Sequence, residues 1–198
     1  MYSTKIETII KRLFDIFASF LMIILLMPIW IILTIAICIT SPGGAFFFQE
    51  RTGYKGRTFL LMKFRTMYPN KEADTLQATE NDSRVTPIGH FLRKSSLDEL
   101  PQLFNILKGD MSLVGPRPHM LKHTEIYSSM IPDYMERHKM RPGLTGYAQI
   151  QGYRGETPEL IQMEQRVTAD LKYIEEFSLL LDIKILWKTS LKVLLFKL

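Results

Sequence analysis

The sequence predicts an α+β protein: a small, mostly helical domain held at a membrane surface between an N-terminal apolar helix and a C-terminal amphipathic one. Three observations carry this. Residues 14–40 are almost uncharged, with Asp15 at the very start, and are long enough for a bilayer, which needs roughly 20 apolar residues. Two short runs rich in β-branched and aromatic residues, Ala45–Glu50 and Thr58–Thr66, flank Gly53 and Gly56 and read as a hairpin or two extended pieces. From Ser178 onward, Leu180, Leu181, Ile183, Leu186, Trp187 and Leu191 form an apolar face, while Lys184, Lys188 and Lys192 repeat every four residues opposite it.

Composition bounds the rest. A chain of 198 residues, 46% hydrophobic and 23% charged, can build one domain with a core plus a membrane segment, and it is neither disordered nor fibrous. A net charge of +5 suits nucleic acid, anionic lipid or phosphorylated substrates, and the apolar segment favours the last two. Cys38 is the single cysteine, so neither a disulfide framework nor a cysteine metal site is available.

In chain order, residues 1–44 read as the membrane anchor and 45–198 as one domain that it holds at the membrane surface. Pro28 falls near the middle of the apolar run, where it removes a backbone hydrogen bond and bends a helix. Both flanks are basic: Lys5, Lys11 and Arg12 precede the run, and Arg51, Lys55, Arg57, Lys63 and Arg65 follow it. Cations prefer the cytoplasmic side, which one straight span cannot satisfy at both ends. A kinked span and a helix that enters, turns at Pro28 and returns to the same face both remain open. Ser41-Pro42-Gly43-Gly44 ends the segment as a turn, 68–86 is a polar surface excursion, and Pro87–Lys94 resumes helical spacing.

The stretch Ser95–Pro118 organises the chain. Leu97, Leu100, Phe104 and Leu107 recur at helical spacing and predict one buried face, with Asp98 and Glu99 at its N-terminal rim. Pro101 is tolerated only in a first turn, so the helix begins near Asp98 or is kinked there. Taken alone, Ser96 and Glu99 match a capping box, and acidic residues suit a first turn. Their company points further. Arg117 is fixed between Pro116 and Pro118, Arg93 and Lys94 precede the carboxylates, and the run Arg137–Gly146 joins cations to two glycines that permit close backbone approach. That inventory could hold a metal and a diphosphate. His119 and His123 are four apart, but no third ligand of the right type stands nearby for zinc. A helix candidate over 157–176 is polar.

The runs Lys11–Asp15 (KRLFD), Lys63–Met67 (KFRTM), Leu92–Pro118 (LRKSSLDELPQLFNILKGDMSLVGPRP) and Arg141–Ile150 (RPGLTGYAQI) resemble, in the same order and over nearly the whole chain, the bacterial sugar transferases, the monotopic phosphoglycosyl transferases. The resemblance implies transfer of a sugar 1-phosphate from a UDP-sugar to undecaprenyl phosphate through a covalent phosphosugar on Asp98, with release of UMP and with Mg2+ held by Asp98 and Glu99. It implies substrate contacts from Lys63, Arg93, Pro116, Arg117, Pro118, Arg141 and Gln149. It also implies the membrane hairpin, although Met27 stands where many members place a small polar residue before the proline, and a site on the cytoplasmic face of the bacterial inner membrane. Gly152–Thr157 resembles the hexose-transferring branch, with an N-acetylated sugar as the alternative. A non-catalytic scaffold in glycan assembly is the rival of another class, and the intact Asp98, Glu99 and Arg117 speak against it. The expected partners are the two substrates and membrane lipid, with no nucleic acid. Monomer and homodimer both stay open.

Overall fold

The computed structural model describes residues 5–70, 79 and 82–195. Most of the polar excursion after Tyr68 therefore lies outside the described residues. Helix α1 (Lys5–Thr40) leads into strands β1 (Phe46–Thr52) and β2 (Thr58–Phe64), which pair antiparallel from Phe46↔Phe64 to Thr52↔Thr58, the hairpin expected around Gly53 and Gly56. Helices α2 (Pro87–Ser95) and α3 (Gln102–Lys108) follow, then β3 (Ser112–Val114), α4 (Leu121–Met130), β4 (Gly143–Thr145), α5 (Tyr147–Ile150), α6 (Leu160–Glu175) and α7 (Leu179–Leu194). Strands β3 and β4 pair in parallel, Ser112 with Gly143 and Val114 with Thr145. The architecture is a mixed helix and strand fold dominated by helix.

Helix α1 contains Pro28 and is one uninterrupted helix on both sides of it. Its contact face is a single stripe at helical spacing. Lys11, Asp15, Ser19, Leu33 and Ile37 are buried, and Met22, Ile23, Leu26 and Trp30 are half-buried between them. The opposite face exposes Ile9, Leu13, Phe17, Leu25, Ile32 and Ile39, the last at 79%. Both halves of α1 seat on the same domain. Near its start, Arg12 donates to the carbonyls of Ile106 and Leu107 at 2.7 and 3.0 Å. In its second half, the Trp30 ring meets Phe104 edge-on at 5.2 Å and Phe64 at 5.5 Å.

Three apolar clusters form the core. The largest joins Leu61 of β2, Leu103 and Ile106 of α3, Leu113 and Val114 of β3, Tyr173 of α6 and Ile185 of α7. A second packs Leu33 and Ile37 of α1 against Ala45, Phe64 and Leu92. A third gathers Ile131, Tyr134, Met163 and Val167. The inner face of α3 is thus Leu103 and Ile106, and the face expected from Leu97, Leu100, Phe104 and Leu107 is not the buried one, since Phe104 remains 42% exposed. The reason is the break at Pro101, which starts α3 only at Gln102 and rotates it relative to the turn before it. Asn105 then welds α3 to β2: its Oδ1 accepts from Met62 N at 3.0 Å and its Nδ2 donates to Leu60 O at 2.7 Å.

Two glycines explain why β3 and β4 can lie so close. A Cβ on Gly115 would fall 2.3 Å from Arg141 O, and one on Gly143 would fall 2.1 Å from Gly115 N. The close approach permitted by the glycine-rich run is therefore of backbone to backbone, not of backbone to ligand as the sequence suggested.

The third cluster makes stability depend on pH. Burial, then the neighbouring Arg137 charge, push the His138 imidazole down to about 4, and burial with the same arginine holds His119 well below its usual range. The unfolded chain binds protons near 6.5, the folded one only near 4, so stability rises with pH across that window and is lost as pH falls through it. For His138 the loss is at most about 3 kcal/mol, because each tenfold drop in proton affinity on folding corresponds to about 1.4 kcal/mol. Heat unfolding in detergent between pH 7 and 4.5 is expected to show a falling Tm, and His138→Gln is expected to flatten that slope.

Candidate active site

The carboxylates Asp98 and Glu99 sit on a single 3-10 turn, Leu97–Glu99, wedged between α2 and α3. Both are buried, at 8% and 6% exposure. Ser96, in left-handed conformation at φ 58°, makes no side-chain cap on this turn. The capping-box reading thus fails: Glu99 points away from the backbone and into a cage of cations. Thr86 is a true cap, accepting from Gly89 N at 3.0 Å to start α2.

Glu99 Oε1 accepts from Arg117 Nη2 at 2.5 Å and from Lys63 Nζ at 2.9 Å, and Oε2 lies 3.4 Å from Arg117 Nη1 and 4.0 Å from Arg154. Among the described residues, the ion-pair contact of Asp98 is a long one, to Lys63 at 3.9 Å, with the charges of Arg93 and Arg117 acting from farther off. This difference separates the pair. Burial alone would raise the Glu99 carboxyl, but the charges of Arg117 and Lys63 together outweigh it and hold Glu99 well below the usual carboxylate range. Burial raises Asp98, Lys63 acts against it, and the Glu99 charge adds to the rise. Lys63 itself is lowered by burial against the pull of both carboxylates, and Arg117 is raised by Glu99.

Each cation comes from a different element. Lys63 is on β2, next to last in the strand. Arg117 follows β3, and its own carbonyl is held by Arg137 Nη2 at 2.8 Å, which in turn pairs with buried Asp170 of α6 at 2.5 Å. Arg93, in the last turn of α2, donates to Thr66 Oγ1 at 3.1 Å. Arg154 donates to Ser96 Oγ at 3.1 Å. Arg166 of α6 donates to the carbonyls of Tyr153 and Gly155 at 3.1 and 3.0 Å, clasping the loop that carries Arg154.

These side chains line one cleft of about 770 Å³. Among the described residues it presents eight cations, Arg51, Lys63, Arg65, Arg93, Arg117, Arg154, Arg166 and Lys192, against two carboxylates, Asp98 and Glu99. Phe46, Phe47 and Phe64 line it beside Gly43 and Gly44, which follow the C-terminal end of α1. Of the residues expected from sequence, Lys63, Arg93, Asp98, Glu99, Arg117, Pro118 and Gln149 meet in the cleft. Pro116 lies behind Arg117, its carbonyl accepting from Gly143 N at 2.9 Å. Arg141 is not among the cleft-lining residues: it donates to Gly109 O at 2.9 Å and stacks 5.2 Å from the Tyr54 ring. Its hairpin-side position follows from the β3–β4 pairing, which turns the Met140–Pro142 segment toward Gly109. Arg51 and Arg166 were missed as cleft residues, the first because it reads as a membrane-flanking charge, the second because a polar helix gives no sign of which arginine faces inward.

The whole chain matches a known family. The model of the bacterial sugar transferase family matches residues 6–196. A UDP-glucose:undecaprenyl-phosphate glucose-1-phosphate transferase of Klebsiella pneumoniae is 50% identical over 188 residues, covering 94% of this chain and 40% of that protein. One of the same name from Caulobacter vibrioides is 47% identical over 180 residues, 90% of this chain and 67% of that protein. A UDP-N-acetylgalactosamine-undecaprenyl-phosphate N-acetylgalactosaminephosphotransferase of Aeromonas hydrophila is 41% identical, over 96% of this chain and 45% of its own length. The chain spans less than half the length of several of these relatives. With the four sequence runs, the carboxylate pair in its cage of cations and this match from end to end, the chain belongs to the bacterial sugar transferase family.

Proposed function

We propose that the protein transfers a hexose 1-phosphate, glucose before other sugars, from its UDP-sugar to undecaprenyl phosphate at the cytoplasmic face of the bacterial inner membrane. The observation that carries this is the cleft itself: eight cations around two adjacent buried carboxylates suit a phosphorylated donor and acceptor, both anions. Relatives near 50% identity named for the glucose reaction favour glucose, and the one at 41% is named for an N-acetylated sugar.

The different environments of the two carboxylates support different roles for them. Glu99 is held by Lys63 and Arg117 and cannot approach phosphorus without breaking both contacts. Asp98 is the more basic and the less engaged of the two, so it is the nucleophile. Its carboxylate oxygen forms a bond to the sugar-bearing phosphorus as the bond to UMP breaks, and a phosphate oxygen of undecaprenyl phosphate then takes the phosphosugar and frees Asp98. Arg117 and Lys63 offset the charge on phosphorus that would repel the attack, preorganised by their hold on Glu99. Gln149 Oε1 is buried without a hydrogen-bond partner among the described residues, which suits a donor contact left to be made by the nucleotide. Mg2+ belongs to the same proposal: Asp98 and Glu99 are adjacent carboxylates of the kind the ion takes when phosphate oxygens and water complete its shell, and Asp98, with its 3.9 Å contact to Lys63, is the freer ligand, whereas Glu99 Oε1 is engaged by Arg117 and Lys63. Bound by Asp98 and Glu99, Mg2+ would supply charge neutralisation on the diphosphate.

Membrane seating follows from α1 and α7. Lys11 and Arg12 at one end of α1, and Arg65 at the other, are spent on the domain rather than free in the flanks, Arg65 donating to the carbonyls of Ser41 and Pro42. Both ends of α1 are thereby tied to the same domain, and the proposal that the segment enters and returns rests on those ties alone, because α1 itself runs through Pro28 as one helix. Leu180, Ile183, Trp187 and Leu191 form an exposed apolar row on α7, which supports a place for α7 in the membrane interface.

Three outcomes are expected. Asp98→Asn lowers UMP release by at least about a thousandfold, as removal of a nucleophile does, with membrane association retained, while Glu99→Gln is severely impaired but partly recovered by raised Mg2+. A near-normal Asp98→Asn enzyme would sink the covalent route. With detergent-solubilised protein, UMP release is greatest from UDP-glucose in a panel with UDP-galactose, UDP-N-acetylglucosamine and UDP-N-acetylgalactosamine, and a stoichiometric burst appears without undecaprenyl phosphate; preference for an acetylated donor refutes the hexose assignment. Cysteines placed at Ser3 and Lys55 in a Cys38-free background label from the same face, and labelling from opposite faces establishes a crossing helix instead.

A further inference from the structure

A second cluster of ionisable groups lies in the core, away from the cleft. Lys11 of α1, 8% exposed, donates to Asp182 Oδ2 of α7 at 2.6 Å and to the backbone carbonyl of Val114 at 2.9 Å. Tyr173 of α6 donates to Asp182 Oδ1 at 2.7 Å, and its hydroxyl also lies 3.4 Å from Val114 O. One turn along α1, Asp15 Oδ1 accepts from Leu113 N at 3.0 Å. Buried ions are retained at a cost and are weak devices for stability alone, so their presence here calls for another role. What they share is β3. This strand has three residues and one strand partner, and side chains from α1 satisfy the Leu113 amide and the Val114 carbonyl in place of a second neighbour.

From Val114 the connection to the cleft is short and stiff. Gly115 has its Cα against Arg141 O, with no room for a side chain, and its amide donates to Thr145 O at 2.9 Å. Pro116 and Pro118 restrict the backbone on both sides of Arg117, whose guanidinium then meets Glu99 at 2.5 Å. A shift of β3 therefore moves Arg117.

We infer that Lys11, through its joint hold on Val114 O and Asp182, is a positioning residue for Arg117, so that the seating of α1 and α7 sets the geometry of the cleft. Among the described residues, the Lys11 ammonium meets Val114 O, Asp182 and the Phe177 ring, none of which lines the cleft, so its route to Arg117 is through β3. An apolar side chain of similar length would keep the packing and lose the hold on the carbonyl. The consequence is that the anchor helix is part of the catalytic machinery, rather than a tether to it.

This rests on the transferase reading for its kinetic arm only, and amide exchange tests it without that reading. The full chain is compared in detergent as wild type, Lys11→Arg, Lys11→Met and the charge-free double variant Lys11→Met with Asp182→Leu. The double variant removes both buried charges together, which usually preserves or raises stability, and so guards against simple misfolding. Lys11→Met and the double variant are expected to speed hydrogen–deuterium exchange across 113–117 about tenfold, with 46–64 unchanged, and to lower kcat for UMP release from UDP-glucose by about ten- to a hundredfold, the usual cost of losing a supporting partner, with KM little altered. Lys11→Arg, which can still reach both acceptors, restores part of kcat. Unchanged exchange at 113–117 in the single variant overturns the inference, and so does a double variant that regains kcat together with Tm, because the pair would then serve folding alone. Should wild type release no UMP from any donor, the transferase reading fails, and the exchange result still decides the role of Lys11.

Discussion

The Glu99 carboxylate is the point on which the structure turns. A buried charge is expensive unless its partners arrive with it, and Glu99 gathers Lys63 from the hairpin, Arg117 from the end of β3 and, at longer range, Arg154 from the loop clasped by α6. No two of these lie on one element, so the cage exists only when the hairpin, the β3–β4 pair and α6 are all in place. The same dependence makes the site preorganised: the cations are already oriented by Glu99 and need little rearrangement when a second anion enters.

Behind that cage stands a second tier of ion pairs that hold backbone rather than ligand. Arg137, braced by Asp170, fixes the Arg117 carbonyl, and Lys11, braced by Asp182, fixes the Val114 carbonyl three residues earlier. Both cations are almost wholly buried, and each uses its carboxylate partner to offset desolvation while its remaining donor reaches a main-chain oxygen. An apolar side chain could fill either space. It could not supply a directed hydrogen bond to a strand too short to hold its own register, which is a reason for burying charge where apolar packing would be the cheaper solution.

How much of this was readable from sequence varies by the kind of signal. The hairpin around Gly53 and Gly56 and the helix from Pro87 follow local rules of turn chemistry and periodicity and stand where those rules put them, while the apolar helix starts earlier than the apolar run, at Lys5, and passes Pro28 unbroken where the rules predict a bend. The convergence of Lys63, Arg93, Asp98, Glu99 and Arg117 was legible through recognisable runs, since no local rule brings residues 63 and 117 together. What local rules got wrong, they got wrong for identifiable reasons. Ser96 and Glu99 satisfy the capping pattern, but Ser96 adopts a left-handed conformation and the cations compete successfully for Glu99. Gly143 reads as a ligand-facing glycine when its actual neighbour is Gly115, a contact between two segments that sequence spacing cannot reveal. Arg141 was carried into the site by proximity to that run and is turned out of it by strand pairing. Lys11 and Arg12 look like flank charges because sequence shows their position relative to apolar residues and not the carbonyls and carboxylate that receive them.

That last misreading bears on how anchor and domain relate. Leu33 and Ile37 of α1 share a core with Phe64 and Leu92, and Ala18, Met22 and Ile23 pack on the cluster that contains β3. An apolar helix that served only as an anchor would present lipid-facing side chains all round. Helix α1 instead divides its surface, with one stripe built to core standards and the other bare. The bare stripe needs an apolar environment, and the packed stripe needs the domain, so each condition constrains where the other can be met. The cleft lining includes Gly43 and Gly44, just past the C-terminal end of α1, so the packed end of the helix and the candidate site adjoin. On the proposed membrane seating, a helix with two committed faces holds that lining at a set depth, and a flexible tether would leave the depth undefined.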